Sequence, residues 1–316
     1  MGGVVAGLER YQVTLYIAAI LCAAALGFGL PEIGLWLGPL ITPSLAVLMY
    51  VTFLSVPVAA VGAGLRDWRF LLAVGGVNFV IVPIVVFVIS RIIASNEPLF
   101  IGVLLVLLSP CVDYVIVFAR VAGGSANKLL AVTPILLVLQ MAFLPLYLGA
   151  MAGPALLAGL AARPFVEAFL LLIVVPFGMA ALTQVASRTR VGGGLRHLGN
   201  AVMVPCMMLV LIVVVASHIA GVGSRIIELA AVVPVYVLFI AVLVGVGAIV
   251  GRLLHMSQLD RRALIFSGVT RNSLVVLPFA LALPAHLDLA PLAVVMQTLV
   301  ELIAMVILVR LVPRVA

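Results

Sequence analysis

Three charged residues stand in stretches where charge is costly. They are Asp113 in "LLSPCVDYVIVFARVAGG" (107–124), Arg271 in "SGVTRNS" (267–273) and Glu301 in "QTLVELIAMVILVRLVP" (297–313). Ser109, Pro110 and Cys111 lead into Asp113, Thr270, Asn272 and Ser273 surround Arg271, and Gln297 precedes Glu301 by one helical turn. Proline has no N–H, so a helix running through Pro110 leaves a carbonyl without its donor. At membrane depth that group must be satisfied by protein, water or ligand. An isolated Asp or Arg at the centre of a span costs about 2.5–3.5 kcal/mol on insertion scales. Asp113 and Arg271 are therefore natural partners, either as a salt bridge locking two helices or as a charge pair at a substrate or coupling site. Glu301, flanked by Val300, Leu302 and Ile303, can carry a proton, because an apolar surround disfavours the charged form of an acid. The plainer alternative is a neutral acid hydrogen-bonded to a neighbouring span. Asn78, Gln140 and Gln297 are further polar residues in apolar runs and could line the same cavity.

The elements that hold these residues are membrane spans. Of the 316 residues 66% are hydrophobic and only 9% charged, with a mean hydropathy of +1.44. A soluble domain carries about 25% charged residues, and about 20 consecutive apolar residues suffice to cross a bilayer. The chain reads as an all-α integral membrane protein. Its net charge of +7 does not point to nucleic acid, since the arginines fall in short connections between apolar runs, where they set topology. Cys22, Cys111 and Cys206 form no close pair and no CxxC motif, so neither a disulfide framework nor a metal site is expected. Cys22 and Cys206 read as packing residues. No HExxH motif is present, and Asp113 is the one aspartate deep in a run, which argues against an intramembrane hydrolase. The chain carries no nucleotide-binding P-loop, and no cofactor is expected. Trp68 and Tyr147 fit an interfacial belt, and Gln184 a place near the headgroups.

Ten spans are expected, over 12–30, 36–58, 69–93, 98–120, 128–150, 165–187, 199–220, 228–251, 262–284 and 289–311. With both termini in the cytoplasm, 13 Lys and Arg residues fall inside and 3 outside, leaving Arg271 in a span. The positive-inside rule favours that orientation. Ten spans divide into two five-helix repeats, 1–150 and 151–316, and an odd-numbered unit repeated in tandem is inverted in the membrane, a common construction of secondary transporters. "VIVPIVV" (80–86) in span 3 matches "AVVPVYV" (231–237) in span 8. Gln140 lies 29 residues after Cys111, and Glu301 lies 30 after Arg271. Inverted repeats would bring the breaks of spans 4 and 9 together.

The span 4 and 5 sequences, with "PILLVLQMAFLPLYL" (134–148) and the two C-terminal motifs quoted above, resemble the bile-acid/arsenite/riboflavin transporter superfamily, and within it the arsenite-permease family. That resemblance implies a panel domain and a core domain, with spans 4 and 9 as broken, crossing helices of the core. It implies a secondary carrier in the plasma (inner) membrane of a bacterium, exporting arsenite or antimonite against protons. The functional cysteine of that family matches Cys111, and trivalent arsenic is a soft centre that suits a thiolate. Asp113, Arg271, Asn272 and Ser273 would complete the substrate site, with Ser109 and Thr270 beside it. Two departures stand out. Where the arsenite family has a glutamate after its span 9 asparagine, Asn272 is followed by Ser273 and Leu274, leaving Glu301 to serve. Where the bile acid:sodium symporter branch ligates sodium, Ser267 and Arg271 stand. An arginine there is a permanent cation, so sodium coupling through that place is expected to be weak or absent. The alternative reading is a carrier of a small organic anion from that branch.

Overall fold

The structure is a computed structural model that describes residues 2–30, 32–55, 67–112, 114–153, 167, 170–186 and 190–316. Among these no strand occurs, and the single extended pairing is an antiparallel bridge between Pro110 and Arg271. The principal helices in chain order are α1 (Gly2–Gly29), α2 (Ile41–Ser55), α3 (Trp68–Gly76), α4 (Val82–Ile89), α5 (Glu97–Leu107), α6 (Tyr114–Val121) and α7 (Ala126–Ala152). They continue with α8 (Val175–Ala186), α9 (Arg190–Ser224), α10 (Val232–Leu253), α11 (Gln258–Val269), α12 (Ser273–Leu281) and α13 (Leu289–Val315). Five helical stretches, Ile33–Leu54, Trp68–Ile93, Ala126–Ala152, Ile226–Leu253 and Leu289–Val315, are long and apolar enough to cross a membrane, and shorter apolar helices accompany them. This is a multi-pass membrane protein. The stretches expected as spans 4 and 9 are each a pair of short helices, α5 with α6 and α11 with α12, separated by non-helical residues.

The chain forms two compact units, one from 1–58 and 162–226, the other from 59–161 and 227–316. Each unit thus draws on both halves of the sequence. In the first unit α1 and α2 pack on α9, and α8 packs on α2. Gln184 of α8 donates to the Phe53 carbonyl of α2 (2.9 Å). It therefore serves as an interhelical tie, because its amide finds a helix-end carbonyl within reach.

The second unit holds the candidate site, and its short helices start where the sequence supplies caps. Asn96 accepts from Leu99 N–H (3.2 Å) to open α5, Ser257 from Asp260 N–H (3.2 Å) to open α11, and Asn272 from Val275 N–H (3.3 Å) to open α12. Such side chains satisfy amide donors that a first helical turn leaves orphaned. Between α3 and α4 the helix widens into one π turn, Val77–Ile81, with Asn78 inside it. Insertions of this kind recur at functional sites. Tyr147 donates to the Phe79 carbonyl of that turn. Helix α5 lies close to α13 because Gly102 has no side chain, and a Cβ there would sit 2.6 Å from the Ala290 carbonyl oxygen. Small residues allow this kind of backbone approach between membrane helices.

Candidate functional site

The two breaks cross and trade backbone hydrogen bonds. Asn272 N–H donates to the Ser109 carbonyl (2.8 Å), and Cys111 N–H donates to the Thr270 carbonyl (3.3 Å). In continuous helices those amides would have bonded Gly268 and Leu107, four residues back. The carbonyls so released are capped by one side chain. Arg271 Nη1 donates to Leu107 O (3.2 Å), and Nη2 donates to Gly268 O and to Ser267 O (2.9 Å). Nη2 also donates to Asn78 Oδ1 (2.9 Å), and the guanidinium lies 5.3 Å from the Phe239 ring centre. The C-terminal ends of α5 and α11 both face this cation, the sign that a helix C-terminus favours.

The backbone of Arg271 faces a different partner. Its N–H donates to Glu301 Oε2 (2.9 Å), an oxygen that also accepts from Gln297. The Tyr114 hydroxyl lies 2.8 Å from Glu301 Oε1 and 3.1 Å from the Arg271 carbonyl oxygen. One carboxylate therefore touches the first residue of α6 and the break between α11 and α12. Thr298, one turn before Leu302, donates to Ser273 Oγ (2.8 Å). Arg271 and Glu301 are completely buried.

Of the residues singled out from the sequence, Asn78, Ser109, Cys111, Thr270, Arg271, Asn272, Ser273, Gln297 and Glu301 are all buried and joined at or beside the crossover. Asp113 lies outside the described residues. Gln140 is buried in α7, and neither of its amide atoms has a partner among the described residues. Three other buried polar atoms here are without partners among the described residues: Arg271 Nε, Asn272 Nδ2 and Gln297 Oε1. Sequence reading passed over Tyr114, Phe239 and Thr298. The signal for Tyr114 was a phenol directly after an acid in a span break, since a hydroxyl at that depth needs a partner.

The bridge also changes a register. Pairing Pro110 with Arg271, rather than Cys111 with Arg271, gives 30 residues from each break to Gln140 and to Glu301. The offset of 161 positions between Pro110 and Arg271 recurs between Asn96 and Ser257, Asn78 and Phe239, and Gln140 and Glu301.

The sequence profile of the SBF-like CPA transporter family matches residues 14–314. The chain belongs to the SBF-like CPA transporter family. Among curated proteins none matches the chain. Membership of the SBF-like CPA transporter family, whose relatives are bile acid:sodium symporter-like, makes secondary transport the function of the fold. It also gives the broken helices a context, since transporters place half-helix ends at buried charged sites. Among the described residues no group of His, Cys, Asp and Glu could hold a metal ion.

Proposed function

We propose that this member of the SBF-like CPA transporter family is a proton-coupled carrier in which Glu301 carries the proton and Arg271 is a built-in cation. The observation behind this is the Glu301 carboxylate at the crossover, within hydrogen-bond reach of Tyr114 from one broken helix and Arg271 from the other. A proton taken up or lost there changes what both half-helix pairs can bond to. The Arg271 guanidinium occupies an all-oxygen cage of three carbonyls and one amide oxygen, the kind of surround a hard cation takes. A tethered charge in that cage leaves a mobile sodium ion nothing to do there.

For the cargo we propose arsenite or antimonite, met by Cys111, which is wholly buried in the span 4 break. A single thiol offers a reversible contact. A small organic anion is the second reading. It is favoured by Asn272 Nδ2, a buried donor without a partner among the described residues, at the N-terminus of α12, where helix ends attract anions. The halves 1–150 and 151–316 are proposed to be inverted repeats making up ten spans, supported by the offset of 161 positions shared by the pairs Pro110 and Arg271, Asn96 and Ser257, Asn78 and Phe239, and Gln140 and Glu301. The proposed location is a plasma membrane with both termini in the cytoplasm, in line with the arginine distribution.

The test is arsenite accumulation in inside-out vesicles under an imposed proton gradient, comparing the native chain with Cys111→Ser and Glu301→Gln. Accumulation that needs the gradient, the thiol and the acid supports the whole reading. Gradient-driven accumulation that survives Cys111→Ser removes the thiol from the path. No accumulation by correctly inserted protein shifts the cargo to the organic anion.

A further inference from the structure

Among the described residues the Tyr114 hydroxyl, with its one hydrogen, faces two acceptors. Its oxygen lies 2.8 Å from Glu301 Oε1 and 3.1 Å from the Arg271 carbonyl oxygen. A phenol donates one hydrogen bond at a time while still accepting others. The two acceptors therefore compete for it, and the winner depends on the state of Glu301.

The geometry also selects the oxygen that takes the proton. Glu301 Oε2 already accepts from the Arg271 amide and from Gln297. Oε1 faces the Tyr114 hydroxyl at 2.8 Å, with no other hydrogen-bond donor among the described residues, and is the oxygen free to take a hydrogen. When Glu301 is ionised, both oxygens are acceptors only, and the Tyr114 hydrogen goes to Oε1 as a charge-assisted bond. When Oε1 carries a proton it becomes a donor to the Tyr114 oxygen, and the Tyr114 hydrogen turns to the Arg271 carbonyl. Arg271 is the residue bridged to Pro110, so that carbonyl lies at the crossing point of the two broken helices.

We propose that Tyr114 is a positioning residue that passes the protonation state of Glu301 to the crossover backbone. This rests on the proton-carrying role proposed for Glu301. The titratable and charged groups about Glu301 are Arg271 from the span 9 break and Tyr114 from α6, with Gln297 as the polar neighbour on its own helix and Cys111 beyond Arg271. Asp113 adjoins Tyr114 in sequence and lies outside the described residues. None of the described groups offers Oε1 a second hydroxyl, which makes Tyr114 the relay.

The experiment is infrared difference spectroscopy of the full chain in lipid bilayers, stepped in pH, on the native protein, Tyr114→Phe and Glu301→Gln. Phenylalanine keeps the edge-to-face packing of the Tyr114 ring on Phe118, whose ring centre lies 6.1 Å away. The expected result is a carboxylic C=O band that grows on acidification and is lost in Glu301→Gln. A tyrosine C–O band shifts with the same midpoint and is lost in both variants. A carboxyl band that depends on Glu301 with no accompanying tyrosine shift overturns the relay and leaves the proton role intact. A carboxyl band unchanged in Glu301→Gln overturns the proton role itself and the relay with it. Should Tyr114→Phe fail to assemble, the tyrosine band in the native protein and Glu301→Gln still decides the matter.

Discussion

Arg271 and Glu301 meet through the backbone of one and the side chain of the other. The Arg271 N–H donates to Glu301 Oε2 at 2.9 Å, while the Arg271 guanidinium turns to Leu107 O, Ser267 O, Gly268 O and Asn78 Oδ1. A single residue thus presents its amide to an acid and its cation to the carbonyls that the broken helices leave open. The break is held from both sides, and each side can be tested separately.

Arg271→Ala removes the donor from three buried carbonyls, and each unsatisfied group costs about 1–3 kcal/mol. The expected outcome is a chain that unfolds at markedly lower temperature in lipid–detergent micelles. Millimolar guanidinium ion should recover part of that loss by refilling the cage. Arg271→Lys should not match the native protein, because an ammonium lacks the planar fork that serves several acceptors at once. An Arg271→Ala protein as stable as the native one would mean the cage contributes nothing.

Sodium should be without effect on transport by the native chain. Counterflow measured in sodium or in choline medium at one pH should agree within about twofold, given a tethered cation in the oxygen cage. A tenfold stimulation by sodium would place a second cation elsewhere in the path.

The start of the second unit carries its own pH-sensitive tie. Lys128 Nζ bridges Asp67 (2.7 Å) and Asp260 (3.0 Å), and Ser125 donates to Asp260 as well (2.6 Å). Asp67 also caps α3 by accepting from Phe70 N–H (3.3 Å). The Lys128 hydrogen bond holds the Asp67 carboxyl below its ordinary 3.8. A lowered folded-state value gives stability that is present above the ordinary value and lost as pH falls through the lowered one. Thermal unfolding followed from pH 6 to pH 2 should therefore show a loss below about pH 4 that is smaller in Lys128→Ala. Because Asp67 and Lys128 are well exposed, molar salt should also shrink the difference.

Gly102→Val tests the close approach of α5 and α13. The added Cβ would lie 2.6 Å from Ala290 O and 2.9 Å from Ala293 Cβ. Overpacking of this sort costs about 1–3 kcal/mol, and here it would push apart the helices that carry the span 4 break and Glu301. Lower thermal stability together with reduced transport is expected. Unchanged values for both would show that the contact yields easily.

Much of the site was legible from residue types alone. Bilayer depth is a local constraint: about 20 apolar residues make a span, and a proline or a charge inside such a run marks a break. On that ground the interruptions at Pro110 and at Arg271, and the polar residues Asn78, Cys111, Asn272 and Glu301, were recognisable without coordinates. The apolar composition indicated the class, and the span 4 and span 9 motifs pointed towards bile acid:sodium symporter-like transporters, the level at which the family profile agrees, while the arsenite-permease assignment stays part of the proposed function.

Tertiary structure decided who meets whom. Glu301 lies 30 positions from Arg271 and 187 from Tyr114, separations across which no helical period speaks. The direction of the Arg271 side chain followed from which carbonyls the crossing released, and that depended on the pairing of Pro110 with Arg271. The carbonyl partners of Gln184 and Tyr147 were not readable from sequence, because polarity near a span end does not say which distant backbone atom packing brings within reach. Local chemistry thus set the positions of the breaks, and the meeting of distant backbones set what each exposed atom bonds.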